Sequence, residues 1–141
     1  MARLLFFLFF SGCITFGFGQ ANSAKLYQKS DSLFANGEYA ECLQERFRIL
    51  EMVEKGGSCD QLSYGYLQIG RSYYYLHNSA EAKVWLKKSL AKAKACQIDS
   101  LIGKNYRNIG AIFTESSQSD SALFYLNEAG KALHKQKNPA Y

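Results

Sequence analysis

Two histidines and four cysteines are nearly all that the 141-residue chain offers toward catalysis. His77 and His134 lie at helical spacing neither to each other nor to a cluster of carboxylates, so a zinc site would lack ligands. His77 falls in a turn and reads as a solvated turn residue rather than a general base. No Gly-rich loop runs into Lys-Ser or Lys-Thr, and Gly56-Gly57-Ser58 reads as a helix stop rather than a phosphate cradle. Cys59 or Cys96 as a nucleophile would need an adjacent base that the sequence does not supply. The expectation is therefore a protein with no catalytic residue, no cofactor and no metal. A different kind of chemistry gathers at Lys83, Lys87, Lys88, Lys92 and Lys94, which have only Glu81 for company. This run reads first as a solvated helix face, and second as attraction to anionic lipid or an acidic partner.

Compartment follows from the N-terminus. Met1-Ala2-Arg3 gives a positive start, Leu4 to Phe18 is mostly apolar, and Gly17-Phe18-Gly19 supplies a small-x-small cleavage pattern. Residues 1–19 thus read as a secretory signal peptide, too short in its apolar core to span a bilayer. A lipoprotein reading, with Cys13 lipidated after Phe10-Ser11-Gly12, is the lesser alternative. Removing residues 1–19 leaves 122 of the 141 residues, enough for one small domain at 20–141. The expected location is outside the cytoplasm, periplasmic or secreted, where nucleic acid is not the expected partner. Charged residues at 21% and a single proline argue against disorder. Cys42, Cys59 and Cys96 remain after cleavage, an odd number that rules out a dense disulfide scaffold.

The elements that must position these residues come in a repeat. Tyr66-Leu67-Gln68-Ile69-Gly70-Arg71-Ser72-Tyr73 and Tyr106-Arg107-Asn108-Ile109-Gly110-Ala111-Ile112-Phe113 share an aromatic-x-x-Ile-Gly-x-x-aromatic pattern 40 residues apart. Ala82 and Ala122 follow at equal distances, then Leu86 and Leu126. A weaker first copy has Leu33, Asn36-Gly37, Tyr39 and Cys42 at the matching places. Apolar residues at Leu62, Tyr66, Ile69, Tyr73 and Leu76 recur at the helical period, pause at His77-Asn78-Ser79, and resume at Ala82, Trp85, Leu86 and Leu90. Each copy therefore predicts a helix, a tight turn and a second helix, with Asn78 or Ser79 as an N-cap and Ser58 or Asp60 as another. Glycine in mid-helix costs about 1 kcal/mol relative to alanine. Its recurrence at Gly70 and Gly110 predicts two helices too close there for a side chain.

These motifs resemble the tetratricopeptide repeat over nearly all of residues 23–141. Tyr66 and Tyr106 stand where that family most often has Trp, while Ile69, Gly70, Tyr73, Ala82 and Leu86 match one for one, as do Ile109, Gly110, Phe113, Ala122 and Leu126. The period is 40 residues rather than 34, and the closing proline is missing. The resemblance implies an all-α solenoid of three helix-turn-helix repeats, at about 23–62, 63–102 and 103–141. It also implies a concave groove lined by the first helix of each repeat, suited to an extended peptide or a partner helix. The residues expected on it are Tyr27, Asp31, Phe34, Tyr64, Leu67, Arg71, Tyr74, Tyr75, Lys104 and Arg107, with Ala111 and Thr114 beside them. Tyrosine and arginine dominate binding hot spots, and Arg71, Lys104 and Arg107 are suited to a carboxylate or an acidic peptide. The competing reading packs Tyr74 and Tyr75 between repeats.

The function implied is an exported, non-catalytic module that binds a protein or peptide, an acidic one among the candidates. The alternative is an extracytoplasmic sensory segment of a bacterial signalling protein of the histidine-kinase or transcriptional-regulator type. Cys59 and Cys96 are both expected to follow the second helix of a repeat, and free thiols are favoured over a bridge, because neighbouring helices are about 8–10 Å apart. Cys42 reads as inert core. At the last repeat, Leu123, Leu126, Ala129 and Leu133 have no following helix, so either another chain or a continuation should cover them, which includes self-association.

Overall fold

The computed structural model describes the backbone of residues 15–137 and the side chains of residues 24–135. Most of the expected leader, including Arg3 and Cys13, lies outside the described residues. Six helices follow one another: α1 (Thr15–Ala35), α2 (Tyr39–Glu54), α3 (Cys59–Tyr75), α4 (Ser79–Ala95), α5 (Asp99–Glu115) and α6 (Ser119–Lys137). They form three helical hairpins in which each helix packs on the next, and α3 also touches α5. This is an all-α solenoid with the expected 40-residue step. The second and third hairpins open at Cys59 and Asp99, four residues ahead of the positions read from the sequence.

Four tight turns use one device. Gly37, His77, Gln97 and Ser117 all have positive φ, between 56° and 81°. Each begins a pair of bonds that satisfies the last carbonyls of the preceding helix. At the second hairpin the His77 N–H donates to Tyr74 O at 3.0 Å and the Asn78 N–H to Tyr73 O at 2.9 Å. Phe34 and Leu33, Lys94 and Ala93, and Thr114 and Phe113 accept in the same way. Helix α2 stops differently: the Gly56 and Gly57 N–H groups both donate to Val53 O, at 3.3 and 2.6 Å, and a Cβ at Gly57 would lie 2.7 Å from that oxygen. The starts of α3 and α4 are capped as read from the sequence: Gln61 Oε1 accepts from the Ser58 N–H at 2.9 Å, and Asn78 Oδ1 accepts from the Glu81 N–H at 3.2 Å.

Packing inside a hairpin depends on the mid-helix glycines. A Cβ at Gly70 would come within 2.8 Å of Leu86 Cγ, and one at Gly110 within 2.9 Å of Leu126 Cδ2. The close approach predicted from their recurrence is present in both copies. Leu67, Ile69, Ala82, Leu86, Ala93, Ile109 and Ile112 are buried around these contacts.

Two expectations change. Cys59 and Cys96 are bridged, with Cα atoms 6.3 Å apart. Cys59 is the first residue of α3 and Cys96 the C-cap of α4, so the two flank the open end of one hairpin rather than belonging to separate repeats. At the last hairpin, Ala129 is only 4% exposed and Leu133 packs over Gly103, so α5 already covers both. Leu123 and Leu126 do remain open, at 61% and 43% exposure.

Candidate functional site

The first hairpin departs from the other two where it meets α3. One repeat earlier than Gly70 and Leu86 stand Ser30 and Arg46, so the glycine–leucine contact is replaced by a polar one. Arg46 is 3% exposed, and its Nε donates to Ser30 Oγ at 3.3 Å. Its Nη1 donates across the repeat boundary to Gln68 O at 2.6 Å and Ser72 Oγ at 2.7 Å. Burial lowers its pKa from the ordinary arginine value, the nearby Arg71 adds to this, and Cys42 and Asp31 oppose it. Among the described residues no carboxylate forms an ion pair with Arg46.

Phe34 gathers the site around itself. The Arg46 guanidinium lies 4.5 Å from its ring centroid and that of Arg71 4.7 Å. Tyr75 meets the same ring edge-on at 5.1 Å and Tyr39 at 5.3 Å, while Tyr39 and Tyr75 stack at 4.9 Å. A desolvated guanidinium over an aromatic ring is worth up to about 2 kcal/mol. The cluster therefore ties the first two repeats together while keeping Tyr75 42% exposed. Tyr74 continues the band toward the third repeat, its hydroxyl donating to the Glu115 carboxylate. That bond, with some burial, pushes the Tyr74 pKa up to about 12. Tyr74 and Tyr75 thus pack between repeats and also contribute surface.

A second row runs alongside. Gln68 Nε2 donates to the Tyr64 hydroxyl at 2.9 Å, and Gln68 Oε1 accepts from Arg71 Nη1 at 2.9 Å. Half-buried Tyr27 belongs to the Tyr64 end: burial raises its pKa, and Tyr64 and Asp60 raise it further. Asp31 is exposed. Lys104 and Arg107 are exposed on α5 and stand apart from the Phe34 cluster; Ala111 is half-buried, and the Thr114 hydroxyl donates to Gly110 O at 3.0 Å. Leu67 is a correction. At 2% exposure it belongs to the core, because α3 turns that face onto α4 and α5 rather than into the groove. Arg46 and Tyr39 are the members that a first-helix groove omits, since both belong to α2. The signal for Arg46 was available as an arginine at a position that is leucine in both other copies.

The site therefore offers half-exposed aromatic surface backed by two guanidiniums, with the exposed cations Lys104 and Arg107 on α5. No family model and no curated protein matches the chain. Among solved structures, the crystal structure of the TPR domain of Arabidopsis FLU is similar, with a TM-score of 0.74 and 18% identity over 83% of this chain and 98% of that chain. The fold is that of a tetratricopeptide-repeat solenoid.

Proposed function

We propose that a chain with this fold, and with this aromatic and cationic inner face, is a non-catalytic module that holds an extended acidic protein segment. The observation that carries the reading is Phe34 between Arg46 and Arg71. Among the described residues Arg46 is buried without a paired carboxylate, and it is adjoined by a second guanidinium that reaches the surface, so an incoming carboxylate gains charge-assisted hydrogen bonds while the tyrosines supply contact area. Lys104 and Arg107 extend the positive surface along α5. Export agrees with the leader read from the sequence and with the Cys59–Cys96 bridge, which persists in oxidising compartments. Mass spectrometry of the protein recovered from its native host tests cleavage, with an N-terminus near Gln20 as the expected result.

Selecting a displayed random-peptide library on the chain beginning at Gln20 tests the groove. The selected peptides should be enriched in Asp and Glu. Lys104→Glu/Arg107→Glu should weaken a selected peptide at least about tenfold by calorimetry, with helicity unchanged because both side chains are exposed. Peptides without acidic enrichment would refute the reading, and equal affinity for the variant would exclude α5 from the surface that holds them.

A further inference from the structure

The lysines of α4 are not used by the groove, and their arrangement is particular. Around α4 at 100° per residue, Ala80, Val84, Ala91 and Ala95 fall opposite the buried stripe of Ala82, Leu86, Ser89 and Ala93, and all four are exposed. Lys87 and Lys94 flank this apolar strip on one side, Lys88 and Lys92 on the other. Phe124, one repeat after Val84, is 58% exposed, beside Leu123 at 61%. The charge is equally concentrated. The chain's formal net charge is +5, of which α4 carries five lysines against one glutamate and Arg3 supplies one more, so all remaining residues sum to zero. Among the described residues no α4 lysine forms an ion pair. Lys88 lies 4.6 Å from the Trp85 ring centroid, and Lys83 and Lys94 reach rings of α5, Phe113 at 5.5 Å and Tyr106 at 5.0 Å.

A narrow apolar strip with lysines along both margins matches a helix lying in a membrane interface, where long cationic stems splay sideways to reach head groups. No described helix is long and apolar enough to cross a membrane, so contact is peripheral. We infer that the outer face of α4, with Phe124 of α6, docks the domain on a bilayer rich in anionic lipid. The strip lies opposite the face that α4 packs against α3 and α5, and it shares no residue with the groove.

Co-sedimentation of the chain beginning at Gln20, which keeps every side-chain contact described above, decides the matter. Vesicles of phosphatidylcholine with about one-quarter phosphatidylglycerol should bind it at low salt and release it as salt rises, and pure phosphatidylcholine should not bind it. Each lysine near such a surface is worth roughly a fivefold factor. Lys87→Gln/Lys88→Gln should therefore lower partitioning by at least about tenfold, and Phe124→Ser should lower it severalfold. Lys25→Gln/Lys104→Gln removes equal charge from the exposed faces of α1 and α5 and should change it far less. Circular dichroism confirms that each variant is folded. Equal binding to both vesicle types, equal losses for the two lysine pairs, or binding to poly-glutamate with none to vesicles would overturn the inference.

Discussion

Replacing both Cys59 and Cys96 by serine should remove more stability than any other pair of surface changes. The bridge closes a segment with a sequence separation of 37 residues, which holds the whole of the α3/α4 hairpin. The chain-entropy relation for a loop of that size gives about 13 cal/mol/K, or about 3.8 kcal/mol at 25 °C. An unfolding entropy of roughly 2.1 cal/mol/K per residue over the 122 residues after the expected leader converts this to a fall of about 15 °C in Tm. Serine is close to isosteric and both cysteines are half-buried, so packing losses add little. Thermal circular dichroism of the double variant, beside the parent with and without reductant, measures the effect. Thiol titration in denaturant supplies an independent reading. Without reductant the chain beginning at Gln20 should show one thiol, that of buried Cys42, and after reduction three. Three thiols in unreduced protein, or a double variant within about 2 °C of the parent, would refute the pairing and the reasoning built on it.

The other predictions use single residues. Gly70→Ala should destabilise by about 1–2 kcal/mol in urea titration: the Leu86 it would strike is fully buried and its backbone N is 3.1 Å away, which outweighs about 1 kcal/mol of helix propensity. Gly110→Ala should be near neutral, because Leu126 is 43% exposed and has room to swing aside. Glu45 is held below the usual carboxylate range by its hydrogen bond from Lys29, with Arg48 assisting against the opposing effect of burial. Its contribution is present above the unfolded pKa of about 4.3 and lost as pH falls through the lower folded value, so Glu45→Gln should flatten the acid side of a stability–pH curve. Tyr74, at about 12, has the opposite sign: its stabilisation is complete below the unfolded pKa of about 10 and lost as pH rises toward 12. In Glu115→Ala the late tyrosinate absorbance should move to lower pH.

The helical hairpins were legible because their determinants are local. The apolar spacing, the Asn36-Gly37 and His77-Asn78 turns and the Gly70 and Gly110 contacts each act within about one hairpin. His77 could be equated with Gly37 from the repeat alone, and both have the positive φ that the turn demands. The disulfide turns on a question of phase. A reading that starts repeats near residue 63 places Cys59 at the tail of the first hairpin, whereas it begins α3 and so opposes the end of α4. Leu67 failed for a related reason. Facing off the main stripe of α3 does not mean facing solvent when α5 packs alongside that helix.

The groove's chemistry was harder to see because it comes from a departure between copies, and a search for similarity passes over departures. In register, Ser30 and Arg46 replace glycine and leucine, and Glu45 replaces Trp85 and Tyr125. An apolar hairpin contact becomes a buried guanidinium with neutral acceptors and a carboxylate tied to Lys29 and Arg48. A buried charge is expensive to keep unless it is paired or fully hydrogen-bonded. Glycine at position 30 with leucine at 46 would have completed the apolar contact at lower cost, as at Gly70 and Leu86. Retaining arginine there, with Phe34 and Arg71 against it, is physically reasonable if the charge acts on something outside the chain. In a repeat protein the common positions specify the solenoid; the positions that break the repeat at an energetic cost are where binding should be sought.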